Sequence, residues 1–253
     1  MINNQKLKGK KIALIGGAGF IGHNLALHLQ SLGAKVDIID GMQVNNLLSL
    51  VDNIDNVPHP DLARSIIMER TNLLRREKIN LRVQDVRDYH ALTRLLNEIK
   101  PQVIIQLAAV SHANRSNKDP YSTFDHSFRT LENSLDWSRG GTSNVEQFIF
   151  FSSSMVYGNF ESDQVDESTN CEPLGIYGAL KYGSEKIIIG YNQTFDLPYT
   201  IIRPSALYGE RCISRRVGQI FIENSLMGKD IVMSDGGKES LDFTYINDLV
   251  DGV

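Results

Sequence analysis

Two hydrophobic patterns alternate along the chain. Short, largely unbroken apolar runs stand at residues 12–15, 36–39, 79–83, 103–107, 148–151 and 199–202. Runs of that length predict strands, and the one at 103–107 has the composition of a strand buried on both faces of a parallel sheet. Between the runs, apolar residues recur at helical spacing. Residues 89–100 predict a helix with Leu92, Leu95, Leu96 and Ile99 on one face, stopped by Pro101. Other helices are predicted after Gly22, over 62–78, over 121–139 up to Gly140-Gly141, over 177–191, over about 218–227, and from 247 onward. Residues 110–120 and 159–175 read as polar loops, and 231–233 as a short strand before the turn at Asp235-Gly236-Gly237.

Strands alternating with helices predict an α/β fold: a doubly wound parallel sheet with right-handed crossovers. Such sheets bind ligands beyond the carboxyl ends of their strands. The glycine turn after the first run, Asp40, Asp85, Ala108, Ser153 and Arg203 all fall at such ends, so one crevice should gather them.

The stretch 10–40 carries the most chemistry. Its first strand runs into Gly16-Gly17-Ala18-Gly19-Phe20-Ile21-Gly22, a helix follows, and the second strand ends on Asp40. Gly16 permits a tight turn, Gly19 lets backbone N–H groups approach a pyrophosphate, and Gly22 lets the helix pack closely. The helix N-terminus then offers unpaired donors and partial positive charge to phosphates. Asp40 is placed to accept from the ribose hydroxyls of a dinucleotide, and Gly41-Met42-Gln43 supplies no arginine for a 2′-phosphate, which points to NAD over NADP. Residues 41–80 are long for a connection between neighbouring strands and read as an insertion near the adenosine end.

Composition narrows the partners. Among 253 residues, 42% hydrophobic and 22% charged is ordinary for a globular protein, long enough for one large domain or a domain plus a lobe. The net charge of −4, with no block of lysine and arginine, argues against nucleic acid. No run reaches membrane-spanning length. Cys171 and Cys212 lack CxxC spacing and read as free thiols in a reducing compartment. The polar N-terminus leads into a core strand instead of a signal-peptide apolar region, so a cytoplasmic protein is expected. The histidines do not cluster at ligand spacing, and no metal site is expected.

Tyr177 and Lys181, four residues apart, share a helix face. A phenol titrates near pH ~10 and is a poor base at neutrality; a neighbouring ammonium favours the phenolate. Lys181 is also placed to hold a nicotinamide ribose. Ser153, at the end of the fifth strand, could bind a substrate oxygen and relay its proton to Tyr177. The run Ser152-Ser153-Ser154 leaves the choice among the three hydroxyls open. His112 and His126 read as solvated or helix-surface residues, with a reach into the substrate cleft as the alternative.

These motifs, in this order, resemble the extended short-chain dehydrogenases/reductases. GGAGFIG (16–22), Asp40, Asp85-Val86-Arg87-Asp88, Gln106-Leu107-Ala108-Ala109, the serine run with Val156-Tyr157-Gly158, YGALK (177–181) and RPSALYG (203–209) carry the likeness over residues 10–253. More narrowly, the chain is similar to the NAD-dependent sugar-nucleotide epimerase/dehydratase family, of the UDP-glucose 4-epimerase type. The resemblance implies a Rossmann domain over 1–203, with the insertion at about 41–80. It implies part of a small substrate lobe over 204–253, interleaved with the main domain and incomplete in this chain. It implies tightly held NAD, bound by Gly16, Gly19, Phe20, Ile21, Gly22, Asp40, Asp85, Val86, Leu107, Ala108, Ala109, Ser152, Tyr177, Lys181, Arg203 and Pro204. Asp85-Val86 would lie beside the adenine, and Tyr177, Lys181 and Ser153 at the nicotinamide. For the nucleotide sugar it implies Ser111, Ser153, Ser154, Asn192 and Arg216, and it implies a homodimer through helices 121–139 and 177–191.

Departures from the family pattern are Gln106 for a usual His, Asp125 for Asn and Leu241 for Arg. Family dehydratases follow the catalytic hydroxyl with an Asp–Glu pair, and family decarboxylases keep a Glu; here those positions are Ser154 and Met155. Epimerisation through transient oxidation is therefore the leading expectation. A non-catalytic NAD-binding protein and a keto-sugar reductase are the alternatives.

Overall fold

The computed structural model describes residues 6–43, 47, 59–110, 113–160, 164–213, 217–237 and 240–253. Ser111 and Arg216, two of the expected substrate contacts, lie outside the described residues, as do His112, Asp163 and Arg215.

Six strands form one parallel sheet: β1 (Lys11–Ile15), β2 (Lys35–Asp40), β3 (Asn80–Val83), β4 (Val103–Gln106), β5 (Gln147–Phe151) and β6 (Tyr199–Ile202), in the order β3-β2-β1-β4-β5-β6. Ile15 of β1 pairs with Ile39 on one side and with Gln106 on the other. Chain order reverses between β1 and β4, and the crevice of such a sheet opens there.

Alternate residues of each strand face opposite layers. Ile12, Leu14 and Ile38 pack with Leu25 and Leu29 of α1 (Phe20–Ser31), Leu74 of α2 (Pro60–Arg76) and Ile246, Leu249 and Val250 of the last helix. Ala13, Ile15, Ile39 and Ile104 pack on the other face against Leu92 and Leu96 of α3 (Tyr89–Ile99) and Leu131, Leu135 and Ile188. Asp88 caps α3 by accepting from the Ala91 N–H.

The expected loop at 110–120 contains a short helix, α4 (Ala113–Lys118). The expected single helix over 121–139 is α5 (Pro120–Phe124), a π turn (Asp125–Arg129) and α6 (Thr130–Ser138). At the junction the Thr130 hydroxyl donates to the His126 carbonyl (2.8 Å) and lies 3.2 Å from that of Ser127. The helix expected at 177–191 is longer, α7 (Gly175–Phe195). Residues 231–233 are not a strand; instead β7 (Ala206–Tyr208) and β8 (Phe243–Tyr245) form a separate parallel pair. Between them lies α8 (Val217–Leu226), and α9 (Ile246–Gly252) returns to α1.

Candidate active site

The glycine turn joins β1 to α1 at the point where the sheet order reverses. Gly16 has φ 78°, and a Cβ there would lie 2.5 Å from the backbone nitrogen of Ala108 at the end of β4. Only glycine allows these two strand ends to approach so closely. A Cβ on Gly22 would lie 2.3 Å from the Gly17 carbonyl oxygen, so this residue brings α1 down onto the turn itself. Gly19 is different, because a Cβ there would meet nothing nearer than 4.0 Å. Gly19 is also the N-cap of α1, and no side chain caps the helix. The turn therefore presents an open face backed by the N–H groups of a helix start, which suits an anion.

Asp40 closes one side of the turn. It is 8% exposed, and its carboxylate accepts from the N–H of Ala18 at 2.9 Å and of Met42 at 2.7 Å. Burial raises its pKa, and these two donors oppose the rise. Phe20, Ile21 and Leu107 are half-buried and pack on the α1 side of the sheet. Ala108 and Ala109 are half-buried beyond β4.

Asp85 and Val86 follow β3. Arg87 grips the Asp85 carboxylate with Nε (3.0 Å and 3.1 Å) and Nη2 (2.6 Å), which holds that carboxyl below its usual range. The same guanidinium donates through Nη1 to Asp125 on the π turn, at 2.9 Å. Asn133 of α6 donates to the carbonyls of Val86 and Arg87, both at 3.0 Å. Asp125 thus ties the loop after β3 to the π turn.

The third group lies at the ends of β5 and β6. Ser153 is 9% exposed, and its hydroxyl accepts from the Met155 N–H at 3.2 Å, opening a 3₁₀ turn (Ser154–Val156). Gly178 of α7 packs on this turn, since a Cβ would lie 2.7 Å from the Met155 carbonyl oxygen. That close approach brings Tyr177 and Lys181 to the Ser153 side of the crevice. Tyr177 is half-buried, and Lys181 Nζ lies 6.0 Å from the centre of its ring. Lys181 is buried, donates to the Phe151 carbonyl at 2.6 Å and sits 4.9 Å from the Phe150 ring centre. Burial pulls its pKa down to about 8, and Glu185, one turn further along α7, opposes that pull.

Glu185 escaped the sequence reading. It is 1% exposed, accepts from the Ser152 hydroxyl at 2.5 Å, and receives both arms of Arg203: Nε at 3.0 Å and Nη2 at 2.7 Å. Arg203 Nη1 donates to the Tyr157 hydroxyl at 3.0 Å. Ser152 and Arg203, expected at the cofactor, are thus turned to Glu185, and Pro204 accepts from the Ser154 N–H at 3.0 Å. The signal that finds Glu185 is its spacing: it repeats the Tyr177–Lys181 interval and so lies on the same helix face.

Asn192 is not brought to this group. It lies 15 residues beyond Tyr177 on one helix, about 22 Å at 1.5 Å per residue. Its side chain donates to the Leu197 carbonyl at 3.0 Å, closing the end of α7. A cleft beside the 3₁₀ turn is lined by Ser154, Met155, Tyr157, Glu167, Arg203 and Asp242, among others.

A family model described as the NAD dependent epimerase/dehydratase family matches residues 12–253. The uncharacterized UDP-glucose epimerase YtcB of Bacillus subtilis (strain 168) is 29% identical over 246 residues, which cover 96% of this chain and 71% of that protein. A dTDP-glucose 4,6-dehydratase of Salmonella typhimurium is 26% identical over 255 residues, covering 94% and 66%. The structure of UDP-glucuronic acid 4-epimerase from Bacillus cereus, in complex with UDP-glucuronic acid and NAD, is similar at a TM-score of 0.78 and 26% identity, over 95% of this chain and 71% of that one.

Proposed function

The chain belongs to the NAD dependent epimerase/dehydratase family, and from that premise we propose that it epimerises a nucleotide sugar by transient oxidation. Its cofactor is NAD, which when bound supplies a carrier that accepts hydride from a sugar carbon and gives it back. The residues present fit that group. The open face at Gly19 and the uncapped start of α1 suit a pyrophosphate, and Gly16, Phe20, Ile21, Gly22 and Ala108 shape the surface around it. Asp40 keeps acceptor capacity for ribose hydroxyls after its two backbone donors are counted. Asp85, Val86, Leu107 and Ala109 line the rest of the cofactor crevice.

Tyr177 takes the proton of the sugar hydroxyl as hydride leaves the carbon, and returns it in the second half of the reaction. Lys181 stabilises the phenolate and holds the ribose. Ser153 orients the sugar oxygen and passes its proton to Tyr177. Glu185 supports the site from behind: its carboxylate holds Ser152 and Arg203 and favours the charged form of Lys181. Residues 1–203 form the cofactor domain and 204–253 part of the substrate lobe, and the nucleotide sugar is taken by Ser154 of the first and Arg216 of the second. Two copies pair through the surface that α5, α6 and α7 present. No described helix is long and apolar enough to cross a membrane.

The carrying observation is the 3₁₀ turn itself. Water elimination needs an acid and a base beside the catalytic hydroxyl, and the turn offers only Ser154 and Met155, which is 41% exposed. Asp166 is not a ready replacement. Its carboxylate accepts from the N–H and hydroxyl of Ser168 and from Thr169, and those bonds keep its pKa low. Glu167 lines the same cleft and favours the second reading, a dehydratase. The test is to offer nucleotide hexoses to the purified protein with no added cofactor. Interconversion of two intact sugars is expected, and Tyr177→Phe should lose at least about a hundredfold in kcat while keeping its NAD. Wild-type turnover in that variant contradicts the assignment.

A further inference from the structure

Behind the glycine turn runs a buried polar chain that the proposed reaction does not use. His23 of α1 is fully buried, and its Nδ1 lies 2.9 Å from the Gly19 carbonyl oxygen. Asn24 donates through Nδ2 to the Phe20 carbonyl at 2.9 Å. Each side chain offers its remaining acceptor to one residue, Arg211: Nε donates to His23 Nε2 at 3.0 Å, and Nη2 donates to Asn24 Oδ1 at 2.9 Å. Because Nε2 accepts, Nδ1 carries the ring proton and donates to Gly19. Burial and the two arginines, Arg70 and Arg211, pull the His23 pKa down to about 3, so the ring stays neutral.

Arg211 lies between β7 and α8, with φ 62°, a left-handed conformation that residues other than glycine rarely adopt. Its carbonyl is held there by Arg70 of α2, through Nε at 3.0 Å and through Nη2. Arg70 is 2% exposed. Glu69, next to it on α2, lies 3.6 Å from Arg211 Nη1. Beside the start of α2, His59 Nε2 lies 3.6 Å from Glu223 of α8. The expectation of an insertion at 41–80 is corrected, since α2 is the crossover helix between β2 and β3; with its N-cap His59 it touches the segment after β7 at two separated points.

We propose that Arg211 is a positioning residue for the cofactor turn: fixed at its backbone by α2, it fixes through His23 and Asn24 the carbonyls of the N-cap Gly19 and of Phe20, the first residue of α1. The crossover helix α2, between the paired strands β2 and β3, is then a strut between the substrate-lobe segment and the dinucleotide turn. The inference rests on NAD sitting at that turn, and not on which sugar reaction follows. A guanidinium reaches two acceptors with a fixed fork, which an ammonium cannot reproduce.

Amide hydrogen exchange over residues 16–21 and NAD affinity should be measured for wild type, Arg211→Met, Arg211→Lys and the control Ile67→Val, a core substitution in α2. Faster exchange in the turn is expected in Arg211→Met, with NAD bound about tenfold more weakly, the scale of one lost charge-assisted hydrogen bond. Arg211→Lys should fall between, and Ile67→Val should match wild type in the turn. In a His23→Ala/Asn24→Ala background, Arg211→Met should add nothing. A folded Arg211→Met or Arg211→Lys with wild-type exchange in the turn overturns the proposal, as does an equal further loss in that background. If wild type binds no NAD, the cofactor placement fails, and the exchange rates still decide the role of Arg211.

Discussion

Lys181 shows how one residue's surroundings set the working range of the site. It faces the Phe151 carbonyl and Phe150 ring of β5, the Tyr177 ring and the Glu185 carboxylate of its own helix, with Arg203, just after β6, behind Glu185. Burial is the larger influence and brings its pKa from 10.5 to about 8. Between those values the unfolded chain binds the extra proton, so this residue makes stability rise with pH there, and its burial penalty is fully present below about 8. Activity should run the other way. Once Lys181 loses its proton it no longer stabilises the Tyr177 phenolate, so kcat/KM should fall as pH rises through about 8. Glu185→Gln removes the carboxylate that favours the ammonium and should move that alkaline limb to lower pH. The amide still offers Ser152 and Arg203 an acceptor. A pH–rate profile of both proteins checks this; a limb that stays in place or moves upward would sink the idea.

At the scale of elements, α7 and the 3₁₀ turn must touch for Tyr177 to meet Ser153. Gly178→Ala would place a methyl 2.7 Å from the Met155 carbonyl and 3.1 Å from Pro173 Cβ. The helix has to lift, and a shift of about 1 Å at the reacting groups lowers kcat by roughly a hundredfold. Overpacking should also lower stability by about 1–3 kcal/mol. NAD should remain bound, because the glycine turn is on another strand. Kinetics, a thermal melt and the NAD content of the purified variant test this together; wild-type kcat would contradict it. The six main strands were legible because each is an apolar run between turn residues. The pair β7–β8 was not, since its strands are three residues long, partly exposed and far apart in sequence. The π turn was hidden too, because a local change of winding leaves the helical spacing on either side intact. Within the candidate site, the shared helix face of Tyr177 and Lys181 could be read from their spacing, whereas the serine run left the choice among three hydroxyls open. The pairing of Arg203 with Glu185 could not, because a lone arginine after a strand does not say which anion it meets.

Over the whole molecule, the sheet reverses its order beside the glycine turn, and the ends of β1, β4, β5 and β6 converge on one crevice. The cofactor is NAD, and family membership covers epimerases and dehydratases alike. The distinction falls to the few atoms after Ser153. Incubating the protein with nucleotide hexoses in deuterated water tests it most directly. The account predicts two intact sugars that interconvert and carry no deuterium on carbon, because the hydride returns from the carrier and not from solvent. A 4-keto-6-deoxy product with deuterium at the fifth carbon, where solvent replaces the proton lost as water is eliminated, would contradict it.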